Sequence, residues 1–277
     1  MAKIKTLIAA LAVLATAATV GGCNADYNTE GENGNGEQIT APQPEQPEPE
    51  IPAVVVPPVV PEPPKPKTVS YLSVKADNVN IRSGAGTGYS SKGTAEKSTM
   101  YALNGLSDGW YKTGYKNNTA YISSKYCDEV EMLASDDDRV EAVIAEGAKL
   151  LGTVYVYGAV RYHDGNGHLL KNFTTTAFDC SSLMQYIFYK GAHVNLQVNT
   201  RTQIYQGTTV KKSELKRGDL MFFTNASRKN NKGIERVGHV ALYLGDNWIL
   251  HTASDYAKIE QITPLRWSYF IQGQRII

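Results

Sequence analysis

The stretch from Asn24 to Lys67 has no periodic apolar pattern, and it confines any folded core to the residues that follow it. Gly, Asn and Glu dominate its first part. Pro and Glu take over in Glu45-Gln46-Pro47-Glu48-Pro49-Glu50, then Pro and Val in Pro57-Pro58-Val59-Val60-Pro61. Too little apolar surface is available there to offset the entropy of ordering, so the segment is expected to stay extended. At about 3.1 Å per residue a polyproline-like tether of this kind spans on the order of 100 Å. It reads as a stalk.

What precedes the stalk is short. Lys3 and Lys5 are followed by an apolar run from Leu7 to Val20, broken by Thr16 and Thr19. That run falls short of the roughly 20 residues a membrane span needs and suits a signal-peptide core. It ends in Val20-Gly21-Gly22-Cys23, which resembles the lipobox of bacterial lipoproteins. The resemblance implies a signal peptide at 1–22, lipidation of Cys23 at the mature N-terminus, and attachment to a membrane in the cell envelope. Stable attachment takes two or more acyl chains.

The chain has 277 residues, a formal net charge of +1 and three cysteines: Cys23, Cys127 and Cys180. The charge gives no footing for nucleic acid. Three widely spaced cysteines exclude a disulfide-dense scaffold and a cysteine-rich zinc site.

From about Val69 to Val130, short β-rich runs alternate with turn clusters. The runs are Tyr71–Val74, Val79–Arg82, Met100–Leu103, Trp110–Thr113 and Thr119–Ile122. Many short strands at this spacing predict a small barrel. Val79-Asn80-Ile81-Arg82-Ser83-Gly84, with Asp108-Gly109-Trp110-Tyr111-Lys112 and Ala120-Tyr121-Ile122-Ser123, resembles a bacterial SH3-like (SH3b) domain. Such domains bind cell-wall peptides or pack on a neighbouring catalytic domain. Cys127 closes this region without a local histidine and reads as structural.

Asp136-Asp137-Asp138 then caps an amphipathic helix from Arg139 to Leu151, stopped by Gly152. A second helix is predicted at Phe178-Asp179-Cys180-Ser181-Ser182, with Asp179 as N-cap and Gly191 as the stop. A cysteine in the first turn meets free N–H groups and the helix dipole, which lower a thiol pKa. Further on, Val237–Leu244 and Trp248–Ala253 read as strands joined at Gly245-Asp246-Asn247. If those three residues form the loop, His239 and His251 share a sheet face as diagonal neighbours. A two-residue loop would place them on opposite faces. A first-turn cysteine and two imidazoles on one face are the parts of a nucleophile, a base and an orienter. His163 and His168 lie in a loop, and His193 follows the Gly191 stop. A zinc site of His239, His251 and Cys180 has no common zinc spacing.

Four segments then carry a further resemblance: Phe178-Asp179-Cys180-Ser181-Ser182-Leu183, Arg217-Gly218-Asp219-Leu220-Met221-Phe222-Phe223, Gly238-His239-Val240-Ala241-Leu242-Tyr243-Leu244-Gly245 and Leu250-His251-Thr252-Ala253. Together, in that order, they are similar to the NlpC/P60 family of papain-like cysteine peptidases. The resemblance implies hydrolysis of the bond between D-γ-glutamate and a diamino acid, commonly meso-diaminopimelate, in peptidoglycan stem peptides. It implies Cys180 as nucleophile, His239 as general base and His251 as the polar third member. Tyr155 matches a family tyrosine ahead of the catalytic segment. Asp179 and Ser181 match positions that hold the free amine of a terminal L-Ala in some members. Val154, Tyr157, Ala159 and Ser182 depart from the family's usual Pro, Trp, Gly and Gly, and 161–176 is longer than common. These departures bear on substrate fit more than on catalysis.

The expected fold is multidomain: a small all-β SH3-like barrel followed by an α+β papain-like domain, with helices packed on an antiparallel sheet. The expected boundaries are a signal peptide at 1–22, a lipidated tether at 23–67, an SH3b domain at 68–130 and a catalytic domain at 138–277. The expected function is a peptidoglycan hydrolase working through a thioester, without metal or organic cofactor. Its expected partners are murein peptides, a membrane through the lipid anchor, and the SH3b domain against the catalytic one. Two other readings stay open: an N-acetylmuramoyl-L-alanine amidase or acyltransferase on the same fold, and a silent wall-binding lipoprotein.

Overall fold

A computed structural model describes residues 65–277. The signal peptide, Cys23 and nearly all of the tether lie outside the described residues. Eight strands come first: β1 (Thr68–Val74), β2 (Val79–Arg82), β3 (Ser91–Ala95), β4 (Thr99–Ala102), β5 (Leu106–Ser107), β6 (Trp110–Tyr115), β7 (Asn118–Ser123) and β8 (Cys127–Leu133). All five runs read as strands from their β-branched and aromatic content are strands. Five of the eight form a sheet in the order β3-β2-β7-β6-β5.

The other three, β8-β1-β4, belong to a larger sheet that runs on into the second half of the chain. There it continues through β9 (Val154–Tyr155), β10 (Ala177–Phe178), β11 (Thr208–Val210), β12 (Leu220–Phe223), β13 (His239–Gly245), β14 (Trp248–Ala253), β15 (Tyr256–Gln261) and β16 (Phe270–Arg275). The seam is an antiparallel pairing of β15 with β4, Ile259 against Met100 and Glu260 against Thr99. Helices α1 (Asp138–Lys149) and α2 (Cys180–Ala192) pack on each other and on this sheet; α3 (Thr200–Gln203) and α4 (Pro264–Ser268) are short. The second half is thus the expected α+β arrangement.

Local chemistry explains the helix ends. Asp137 caps α1 by accepting from the Arg139 N–H. Asp179 caps α2 by accepting from the Ser182 N–H at 2.8 Å, and the Ser182 hydroxyl accepts from the Asp179 N–H at 2.9 Å. Gly191 does not stop α2. It lies inside the last turn, where a Cβ would come within 2.5 Å of the Val143 backbone of α1. The bare backbone is needed for the crossing of the two helices, and His193 takes the left-handed C-cap at φ 55° instead.

The Arg217-Gly218-Asp219 motif is a clamp. Arg217 donates to Glu141 at 2.6 and 2.8 Å, to the Leu244 carbonyl and to the Tyr71 hydroxyl. Asp219 accepts two bonds from Arg275, at 2.9 and 2.8 Å. Both ion pairs are bidentate, the geometry in which Arg–carboxylate contacts are strongest, and each has one covered member, Arg217 and Asp219. They tie α1, β1 and β16 to the turn that launches β12.

Candidate active site

Cys180 opens α2 because Asp179 ends the extended backbone of β10 and starts the helix. The backbone N–H groups of Val240, on β13, and of Ser181 lie on the sulfur's side and favour its ionised form. Burial pushes the thiol up to about 11, with the neighbouring Asp179 charge adding to it; the two N–H groups pull the other way. The helix start therefore does not produce the lowered thiol expected from its dipole. Desolvation of a nearly covered sulfur outweighs it.

His239 and His251 come together, by a route the sequence did not anticipate. The turn holds two residues, not three: Asp246 and Asn247, both left-handed at φ 46° and 67°. A two-residue turn alone would have separated the imidazoles. A bulge between Tyr243 and Gly245 adds one residue to β13, so Tyr243 still faces Ile249 and Leu242 faces Leu250. The register is the one a three-residue loop gives. His239 Nε2 lies 3.0 Å from His251 Nδ1, with the rings edge to face at 78°. Burial holds His239 well below its ordinary pKa, and the neighbouring His251 adds to that effect. His251 is lowered by burial too, partly offset by a carboxylate, Glu260.

Glu260 and Arg266 are members of the site that sequence reasoning missed. Glu260 Oε1 lies 2.9 Å from His251 Nε2 and accepts from Arg266 at 3.2 Å. The same parity argument, carried one strand further, finds Glu260. The β14–β15 turn is Ser254-Asp255, so Ala253 pairs with Tyr256 and Ile249 with Glu260. That puts Glu260 and His251 on one face as diagonal neighbours. Thr263 and Pro264 mark the start of α4, yet nothing in that signature aims Arg266 at Glu260.

Two cavities flank Cys180. One, of about 330 Å³, is lined by Tyr155, Cys180, Phe223, His239, Arg266 and Tyr269 among others. The second, of about 500 Å³, shares Tyr155 and Cys180 and adds Arg161, Asp179, Ser181, Arg201 and Arg228. Tyr155 reaches both because β9 pairs in parallel with β10, Tyr155 opposite Phe178. A peptide laid across the sulfur would occupy both cavities.

Asp179 and Ser181 sit together in the second cavity, and a third group missed from sequence sits with them. Arg161 contacts Asp179 Oδ2 at 2.9 Å and donates to the Ser181 hydroxyl at 3.3 Å. Asp179 Oδ2 also accepts from the Gly158 N–H, and Oδ1 from the Ser182 N–H and the Ser181 hydroxyl. A substrate ammonium at Asp179 would have to share Oδ2 with Arg161. The long 161–176 segment is what presents Arg161. Tyr162 packs edge to face against Phe173, Tyr186 and Tyr189, and Arg161 is pinned by the Val198 and Ala159 carbonyls.

Outside the site, His163 is buried with its Nδ1 accepting from the Gly165 N–H, and His168 pairs with Asp164 at 2.9 Å. Cys127 is buried in the first half of the chain.

Residues 152–275 match the sequence profile of the NlpC/P60 family. The probable endopeptidase NlpC homolog of Haemophilus influenzae is 33% identical over 134 residues, 47% of this chain and 64% of that protein. The gamma-DL-glutamyl hydrolase of Bacillus subtilis is 32% identical over 144 residues, 52% of this chain and 30% of that protein. A solved lipoprotein-like NLP/P60 family protein of Staphylococcus aureus superimposes at 27% identity and a TM-score of 0.42, over 56% of this chain and 46% of that one. The chain spans between 24% and 64% of the length of these curated relatives and of the probable endopeptidase p60 of Listeria innocua.

Proposed function

We propose that this chain, which carries an NlpC/P60 family domain at 152–275, is an endopeptidase that hydrolyses the D-γ-glutamyl–diamino acid bond of peptidoglycan stem peptides. The observation that carries the reading is the joint placement of Cys180 and His239 on the wall of one cavity, with His239 braced by His251 at 3.0 Å. The relatives named as endopeptidases and as a gamma-DL-glutamyl hydrolase support the same bond class.

In this reading the resting site is uncharged. Burial raises the thiol and lowers the imidazole, so the proton stays on sulfur until a substrate carbonyl arrives. His239 takes that proton as sulfur attacks, and the carbonyl becomes a tetrahedral oxyanion. The Ser182 N–H is held by Asp179, so the backbone N–H of Cys180 at the start of α2 is the donor assigned to it. His239 then hands the proton to the leaving amine. Water, deprotonated by the same imidazole, hydrolyses the thioester. His251 orients His239 throughout. Tyr155, Asp179 and Ser181 line the cleft as substrate contacts. Catalysis by these side chains calls for no cofactor.

The remainder of the chain fits an envelope setting. An SH3b domain at 68–130, a tether at 23–67 and a lipidated Cys23 would hold the catalytic domain, 138–277, at a membrane facing the wall. The β4–β15 pairing supports an SH3b domain packed on the catalytic domain.

The test is a digest of purified peptidoglycan and of the free tripeptide L-Ala–γ-D-Glu–diaminopimelate, read by mass spectrometry. The expected products are fragments ending in D-Glu with a new amine on the diamino acid. Whole stem peptides released from muramic acid would mark an amidase. Cys180→Ala is expected to abolish the products.

A further inference from the structure

The hydrogen bonds do not stop at the two imidazoles. They run from His239 through His251 to Glu260, at 3.0 and 2.9 Å, and on to Arg266 at 3.2 Å. We propose that Glu260 is a positioning residue: by accepting from His251 it selects the proton arrangement in which His239 presents a bare nitrogen to Cys180. The proposal rests on the reading of Cys180 and His239 as nucleophile and base.

The selection follows from counting hydrogens. A neutral imidazole carries one N–H and one lone pair, and an ionised carboxylate only accepts. Facing Glu260, His251 must therefore carry its hydrogen on Nε2. Its Nδ1 is then a lone pair, and the 3.0 Å contact is a bond donated by the His239 Nε2–H. That leaves His239 Nδ1 without a hydrogen, the condition for a base. Without the carboxylate a second wiring satisfies the pair equally. His251 Nδ1–H donates to His239 Nε2, and His239 Nδ1 holds a hydrogen and can take none. Glu260 breaks the tie. The logic is that of an outer partner fixing a tautomer through the far ring nitrogen.

The same carboxylate answers the charge that appears in the reaction. When the thiol proton moves, the S–H bond breaks and an N–H bond forms at His239 Nδ1. The imidazole pair then carries one positive charge, with Glu260 at its far end. Burial opposes a charged Glu260, but the bond from His251 and the neighbouring charges, Arg266 and Lys258 among them, outweigh it and bring its carboxyl down to about 2. Lys258, the other cation on β15, is itself tied to Asp255 at 2.7 Å and Glu96 at 3.4 Å. Cys180 from α2, Tyr155 from β9 and Tyr269 after α4 line the cavity with His239. Among the described residues, Glu260 is the carboxylate within hydrogen-bond reach of His251.

The experiment compares the full chain with Glu260→Gln and Glu260→Asp. One readout is kcat/KM for a γ-D-glutamyl–diaminopimelate peptide from pH 4 to 10. The other needs no substrate: the alkylation rate of Cys180 by iodoacetamide, followed by peptide mass mapping. Glu260→Gln is expected to lower the plateau of kcat/KM about ten- to a hundredfold. It is also expected to move the acid limb to lower pH, because the imidazolium has lost its counter-charge. A merely loosened site would admit water, relieve the burial of His239 and move that limb upward. The pH-independent part of the Cys180 alkylation rate, which reports thiolate paired with imidazolium, is expected to fall about tenfold. Glu260→Asp should recover part of each effect.

An unchanged limb and plateau in Glu260→Gln, or a limb moved upward, overturns the proposal. So does Glu260→Asp behaving as Glu260→Gln. The limb is read only over the pH range in which circular dichroism shows each variant folded, so acid unfolding does not shift it and a less stable variant still reports. If the unaltered chain cleaves none of the peptides, the functional reading fails, while the alkylation rates still decide for or against Glu260.

Discussion

Cys127 and Cys180 are the same side chain under the same first-order physics. Both are free, both are buried, and burial pushes both thiols up to about 11. A pKa alone therefore does not separate them. What separates them is company. Cys127 opens β8 in the core of the strand-rich first half, 4% exposed. Cys180 opens a helix, is 9% exposed, and shares two cavities with Tyr155, Asp179, Arg161 and His239. In the proposed reading Cys180 would be made reactive by His239 on the wall of the same cavity and by an approach path, not by a thiol already ionised at rest.

The contrast breaks most sharply if the two residues are exchanged for alanine. Cys180→Ala is expected to reduce hydrolysis of γ-D-glutamyl peptides to background, while Cys127→Ala keeps kcat/KM within about twofold. The expectation rests on Cys180 lining one cavity with His239, the proposed base. Removing that base comes next. His239→Ala should lower kcat/KM by about 10²–10⁴, with the fold checked by circular dichroism. A smaller effect lies in the pH profile. Burial lowers His239, so the neutral, proton-accepting form persists below the usual value of about 6.5. Activity should therefore survive as pH falls past 6.5 and fail only when His239 protonates. A limb at or above 6.5, measured in kcat/KM, would mean a wetter site than the one described. Alkylation sharpens the comparison further. At about pH 10 both thiols begin to ionise, and Cys180 should label several-fold faster because it lines the two cavities described above. The smallest effect is on stability. Cys127→Ala is expected to cost about 1 kcal/mol and a few degrees in Tm.

Much of this was legible in the chain. Alternation and turn residues located the strands of the first half, and capping chemistry located the starts of α1 and α2. Cys180, His239 and His251 were named from a helix start and a hairpin. The route to the hairpin was not legible. Gly245-Asp246-Asn247 is compatible with a three-residue loop and with a two-residue turn plus a bulge, and both give the same register. The stop of α2 was misplaced because Gly191 serves a helix crossing, and close approach between distant segments leaves no local signature. Arg161 was invisible for the same reason: its partner is 18 residues away, across a loop whose path is set by an aromatic cluster. Glu260 was within reach of the argument used for the histidines and was missed by stopping one strand early.

The seam between β4 and β15 has a practical consequence. A fragment cut to the NlpC/P60 match alone, 152–275, would lose β4 and leave the β15 edge unpaired at Ile259 and Glu260. Unpaired edges recruit other chains. Such a fragment should be prone to self-association in solution. It would also carry Glu260 on a strand free to fray, and it would lack α1 with the Glu141 carboxylate that holds Arg217. In the full chain β4 covers that part of the β15 edge.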